Sequence, residues 1–201
     1  MSSWSGSTST RNEPLPEEEL EFFMREALRE AEAAGAAGEV PIGAVAVCSG
    51  RIVARARNRV EEHGSVTGHA EIELLRALER STGDWRMDSF DVFVTKEPCP
   101  MCAGALVNAR VRRIVFGVGD PAFGGCGGAV DIPGLPGALW HPEVIPGVLA
   151  EESLERIRSF FREARRRAKQ ELEKGVPSGK FDGGPKCCYI ADKKHGVGDD
   201  E

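Results

Sequence analysis

The 201-residue chain contains no apolar run close to bilayer length, and a membrane helix needs about 20 consecutive apolar residues. Its start, MSSWSGSTST, is polar and has no apolar segment of the kind that drives secretion. A serine-rich start would suit an organelle transit peptide, but Arg11 is the single basic residue there and Glu13 follows. The expected location is therefore the cytoplasm, with no membrane partner. Without export, the six cysteines (Cys48, Cys99, Cys102, Cys126, Cys187 and Cys188) do not read as a disulfide framework. Metal binding or catalysis becomes their expected use. A basic surplus is missing too. The net charge is −6, so no overall field draws nucleic acid. One stretch differs: between Arg156 and Lys169 seven basic residues face one acid, Glu163. Taken alone, that stretch reads as a solvated helix face. Repeats at solenoid periods are also absent.

What remains is a globular profile, with 41% apolar and 29% charged residues. Length and pattern divide it into a flexible leader over 1–15, one folded domain over 16–174 and a mobile tail over 175–201. A helix is expected from Pro16. Three glutamates follow that proline, Leu20, Phe23, Met24, Ala27, Leu28 and Ala31 form one apolar stripe, and Gly35 can end it. IGAVAVCSGRIVARARN reads as a hairpin about Ser49-Gly50. AEIELLRALER and PMCAGALVNARV read as helices, FDVFVT and RRIVFGV as strands. Eight glycines between Gly117 and Gly137 mark a loop. A short strand near PEVIPG and a long helix from Val148 close the pattern. Strands alternating with helices predict a layered α/β domain with a mixed sheet.

Cys99 and Cys102 stand three apart at an expected helix start, so both sulfurs can reach one ion. A helix N-terminus also favours the thiolates that bind metal. His69 begins another expected helix. If the two helix ends meet, two thiolates and an imidazole suit zinc. Three protein ligands leave one position for water, the mark of a catalytic rather than a structural site. Glu71, two residues from His69, can then take and pass on the proton of that water. Each part has a plainer reading. C-x-x-C alone is also a redox pair, a histidine at a helix start also a cap, and a helical glutamate also a solvated residue. Together they form H-x-E followed by P-C-x-x-C, the signature of zinc-dependent base deaminases.

The likeness extends beyond that signature. GEVPIGAVAV, ARNRV, HAEI, EPCPMCAGALVNARVRRIVFG and SFFREARRR, in this order, resemble bacterial tRNA-specific adenosine deaminases of the cytidine-deaminase-like superfamily, over about residues 18 to 170. The resemblance implies a three-layer α/β/α sandwich around a mixed five-stranded sheet, a homodimer and one Zn2+ per chain. It also implies conversion of adenosine to inosine at the wobble position of a tRNA anticodon stem-loop. By position, His69, Cys99 and Cys102 match the zinc ligands and Glu71 the proton shuttle. Asn58 matches an amide that bonds the target base, with the Ala70 backbone beside it. Asp120 matches a loop residue on the nucleotide, and Phe161, Arg162 and Arg165 a terminal-helix segment near flanking nucleotides. Lys96, Val66, Gly68, Ala122 and Phe123 depart from the family pattern. The same zinc site would serve a deaminase of a free base or nucleoside, such as guanine or cytosine. A non-catalytic, zinc-stabilised RNA-binding subunit is the other alternative, for which Glu71 would have no use. Cys187 and Cys188, with His195, could form a second metal group, but unused tail thiols are the simpler reading.

Overall fold

Every element of the fold but one can be traced to a local signal in the chain. The computed structural model describes residues 14–173. Helix α1 (Glu17–Ala36) starts after Pro16, carries Glu17, Glu18 and Glu19 in its first turn and buries Phe23, Met24, Ala27, Leu28 and Ala31. It runs through Gly35, and the chain reverses at Gly38, whose φ of 84° suits glycine. Strands β1 (Gly43–Cys48) and β2 (Arg51–Arg57) form the expected hairpin. Ser49 and Gly50 have φ of 50° and 69°, the paired positive values of a tight hairpin turn. The exception is a four-residue helix, α2 (Val60–His63), which follows. It is too short to leave a periodic pattern.

Helix α3 (Ala70–Thr82), strand β3 (Asp91–Lys96), helix α4 (Pro100–Asn108) and strand β4 (Arg113–Val118) come next. Helix α4 ends earlier than its sequence pattern suggests, because Arg110 turns out of the helix at φ 61°. That turn lets β4 pair parallel with β3. Strand β5 (Glu143–Ile145) and helix α5 (Ala150–Glu173) close the chain. Two compact units are distinguished, one ending at Phe161 and one beginning at Arg162. The second is, within the described residues, the exposed C-terminal half of α5.

The sheet order is β2-β1-β3-β4-β5, antiparallel on the β2 side and parallel from β3 to β5. This is the expected mixed five-stranded sheet. Along β1 the side chains alternate between two cores. Ala44 and Ala46 join Leu74, Leu78 and Leu106 under α3 and α4. Val45 and Val47 join Phe23, Met24, Phe93 and Val115 under α1. Helices cover both faces, which is why β1, β3 and β4 read as continuous apolar runs rather than alternating ones. Truncating a fully buried leucine in such a core costs about 2–5 kcal/mol, so Leu74 and Leu106 hold the helices whose first turns build the site. At the far end of β3 and β4, Asp91 accepts from Arg112 Nε at 2.7 Å, and the fully buried Arg113 donates through its Nε to Glu143 at 2.6 Å. The expected leader lies almost wholly outside the described residues. The tail, with Cys187, Cys188 and His195, lies outside them entirely.

Candidate active site

Helices α3 and α4 lie on the same face of the sheet and begin side by side. His69 is the residue before α3 and Cys99 the residue before α4, both with extended backbone (φ −75°, ψ 149° and φ −67°, ψ 168°). Pro100 occupies the first position of α4, where its missing N–H costs nothing. Cys102 follows one turn later and is fully buried. His69 Nδ1 lies 3.7 Å from Cys99 Sγ and 3.4 Å from Cys102 Sγ. The three ligand atoms all fall within 4.8 Å of one another, a group that could hold a metal ion. Residues 30 and 33 positions apart thus converge, as the spacing of the motifs leads one to expect.

The approach to His69 is set by backbone packing. Arg59 N donates to Gly68 O at 2.7 Å. A Cβ on Gly68 would stand 2.7 Å from Arg59 O and 2.9 Å from its carbonyl carbon. Glycine at 68, a departure from the family pattern, therefore has a local reason: the chain leaving β2 lies directly against it.

Glu71 sits in the first turn of α3, 4% exposed. Burial is the main cause that raises its carboxyl above the usual range, and the hydrogen bond to its backbone and the nearby His69 oppose it. A carboxyl poised to hold a proton suits general acid–base work. Hydrogen bonds from Cys102 and from His69 hold the Cys99 thiol down to about 3. The same shared proton, with burial, pushes Cys102 up. His69 is raised, first by its hydrogen bond with Cys99.

The remaining expected residues divide. Ala70, the first residue of α3, is fully buried beside His69. Asn58 follows β2, is 5% exposed and donates from Nδ2 to Glu39 Oε2 at 3.2 Å. It immediately precedes Arg59, whose backbone is bonded to Gly68, so it stands next to the segment that carries His69. Asp120 follows β4 on the glycine-rich loop. That loop rests on the segment that carries Cys99, since Gly125 N donates to Pro98 O at 2.7 Å. Asp120 also helps line a cavity of 470 Å3 with Glu97, Phe116, Cys126 and Ala150, but His69, Cys99 and Cys102 do not line it. Phe161 on α5 is 42% exposed and meets Phe160 edge-to-face at 5.4 Å, so it is not a core residue. Arg162 and Arg165 are exposed and belong to the second unit.

Glu97 is a residue that the sequence motifs did not single out. It is 4% exposed and accepts three backbone N–H groups: Asp120 at 2.7 Å, Cys126 at 3.0 Å and Gly128 at 2.8 Å. A Cβ on Gly124 would lie 2.2 Å from its carboxylate. The carboxylate thus clamps the loop that carries Asp120. Its place directly before Pro98-Cys99 was the available signal. Cys126 is buried, with its thiol pushed up to about 12 by burial and the Glu97 charge. Cys48 ends β1 and is half-buried.

A model of the MafB19-like deaminase family matches residues 18–165. The tRNA-specific adenosine deaminase of Agrobacterium fabrum (strain C58) is 44% identical over 147 residues, spanning 73% of this chain and 97% of that protein. The chain belongs to the tRNA-specific adenosine deaminase family. The Bacillus subtilis (strain 168) deaminase is likewise 44% identical over 150 residues, 74% of this chain and 92% of its own. A solved structure from work on A-to-I editing by tRNA:A34 deaminases at the wobble position of transfer RNA is 43% identical. It superposes with a TM-score of 0.65, over 67% of this deaminase and 98% of that chain. Guanine deaminase from Nitrosomonas europaea superposes with a TM-score of 0.60 at 22% identity, over 75% of this chain and 88% of its own. That second likeness is one of fold alone.

Proposed function

We infer that this deaminase converts adenosine to inosine at the wobble position of a tRNA anticodon, with one zinc ion held by His69, Cys99 and Cys102. The observation that carries the reading is the convergence of those three ligands beside the buried Glu71, in a chain 44% identical to tRNA-specific adenosine deaminases. Zinc is the metal the donor set favours. Tetrahedral zinc, with Zn–S about 2.3 Å and Zn–N about 2.05 Å, implies S···N separations of about 3.6 Å. The two observed here are 3.4 and 3.7 Å.

When bound, zinc supplies the Lewis acid that makes a water nucleophilic near neutral pH. The protein's own residues do the rest. With the ion in place, Glu71 would take a proton from the attacking water and pass it to the purine ring as oxygen adds at C6. It then carries a proton to the departing amine, which leaves as ammonia. Water plus adenosine balances inosine plus ammonia. Asn58 and the Ala70 backbone hold the base, the clamped loop offers Asp120, and Phe161, Arg162 and Arg165 meet the flanking nucleotides.

The deaminase domain runs over 16–174 and acts in the cytoplasm as a homodimer. Among the described residues no helix is long and apolar enough to cross a membrane. A groove of 330 Å3 between α3 and α4, lined by Ile72, Leu75, Trp85 and Ala105, is a surface a second copy could cover. The burial of Glu71 beside the ligands speaks against a non-catalytic subunit. The test is to offer zinc-loaded protein an anticodon stem-loop, free adenosine, guanine and cytosine, and to measure inosine and ammonia. Turnover of a free base with none of the stem-loop would overturn the reading.

A further inference from the structure

Glu39 is a buried carboxylate held by neutral donors. It lies between α1 and β1, is 1% exposed, and its backbone N–H donates to Ala34 O at 3.0 Å, fixing it to the end of α1. Its Oε1 accepts the backbone N–H of Glu62 at 2.8 Å and its Oε2 accepts Asn58 Nδ2 at 3.2 Å. Among the described residues no Lys, Arg or His forms an ion pair with it. A carboxylate is taken out of water only when its oxygens are satisfied, and here two N–H donors do that.

The chemistry of the pair sets the direction of the Asn58 amide. A carboxylate only accepts, whereas an asparagine amide can donate from one edge and accept at the other. Facing Glu39, Asn58 must present its NH2, so its carbonyl oxygen is turned away. Among the described residues the bond to Glu39 is the one side-chain hydrogen bond Asn58 makes. Its oxygen is nevertheless not a buried orphan, since Arg57 Nε is the one such atom found among them. The oxygen therefore keeps a little accessible surface, in a residue that is 5% exposed and next to the chain that carries His69.

We infer that Glu39 is a positioning residue that locks the Asn58 amide in one orientation and so sets the hydrogen-bonding pattern offered to the base. This rests on the reading of the site as an adenosine deaminase. Without the lock, a half-turn about the Cβ–Cγ bond would exchange acceptor for donor at almost no steric cost. Adenine and hypoxanthine differ in this pattern at position 6, an amino donor in one and a carbonyl acceptor in the other. A site built to hydrogen-bond its substrate discriminates through such polarity far better than through shape.

The experiment is Glu39→Gln. The Glu62 N–H lies closer than Asn58 and keeps the Gln oxygen, so the Gln NH2 faces Asn58 and the amide must turn over. On the stem-loop, kcat/KM is expected to fall about 10–100-fold, the range of one mis-set buried hydrogen bond. Zinc content and melting behaviour should stay close to wild type. In an Asn58→Ala background the same change should cause no further loss. A loss within twofold of wild type, or an equal loss in both backgrounds, overturns the inference, the latter by making Glu39 merely structural. A second measurement does not depend on activity. The Asn58 side-chain amide protons, followed by NMR in labelled protein, should exchange slowly in wild type and fast, at a shifted frequency, in Glu39→Gln. An unchanged amide signal also overturns the lock. A wild-type protein that ignores the stem-loop would instead sink the functional reading, leaving the amide measurement to decide this one.

Discussion

Lys96 Nζ donates to Asp120 Oδ2, joining the last residue of β3 to the loop after β4, 24 positions away. The other Asp120 oxygen accepts the backbone N–H groups of Ala122 and Phe123 at 3.0 and 3.1 Å. The departure at Lys96 thus has a partner in the residue expected to meet the nucleotide. The Lys96 hydrogen bond is the main cause that holds the Asp120 carboxyl below the usual range. A depressed folded-state pKa contributes stability that is present above the unfolded value, about 3.9 for Asp, and is lost as pH falls through the folded value. Lys96→Met should therefore lower the urea midpoint at pH 7, and its gap to wild type should close below about pH 4. A gap that widens on acidification would contradict the assignment.

Changing Glu71 separates chemistry from binding. Glu71→Ala should keep zinc and stem-loop affinity while turnover falls by at least the 10²–10⁴-fold typical of a lost general acid–base, because two proton transfers share the residue. Paired measurements of zinc content, affinity and single-turnover rate check this. Near-normal turnover would remove Glu71 from the mechanism.

Metal removal should expose a sharp difference between thiols. With its thiol held at about 3, Cys99 is a thiolate throughout the neutral range. In chelator-treated protein its alkylation rate should be nearly flat from pH 5 to 8, while an ordinary thiol, with a pKa of about 8.5, gains tenfold per pH unit there. Cys102, pushed up and fully buried, and Cys126, pushed up to about 12, should lag far behind. Zinc at about one equivalent per chain should protect Cys99, and Cys99→Ala or Cys102→Ala should abolish stoichiometric binding. Mass spectrometry of the alkylated peptides reads all three thiols at once.

The acidic net charge and an RNA substrate are reconciled if a local patch decides binding. Charges farther than about 8 Å apart are largely screened at physiological ionic strength. For single-stranded RNA, every phosphate that an arginine ceases to neutralise should reduce the salt slope by about 0.7. The triple change Arg162→Ala, Arg165→Ala and Arg166→Ala should weaken stem-loop binding and flatten its salt dependence with zinc content unaltered. Identical slopes in wild type and variant would count against these arginines meeting the RNA.

The sequence by itself determined the elements and the chemical parts. Spacing, caps and turn residues are local properties, so α1, the hairpin and the helix starts at His69 and Cys99 were legible. So was the donor set of His69, Cys99 and Cys102 with Glu71 two residues on, because a metal site advertises itself through rare residue types at short intervals. Only the tertiary structure decided which buried carboxylate serves which partner. Glu39 meets Asn58 across 19 positions, Glu97 gathers three N–H groups from a loop 23 to 31 residues away, and Lys96 reaches Asp120. A glutamate in the chain looks the same whether it will be solvated or buried. The difference arises when the β2-β1-β3-β4-β5 order and its pairing bring distant loops to the same end of the strands. There, the cost of hiding a charge requires that every oxygen find a donor.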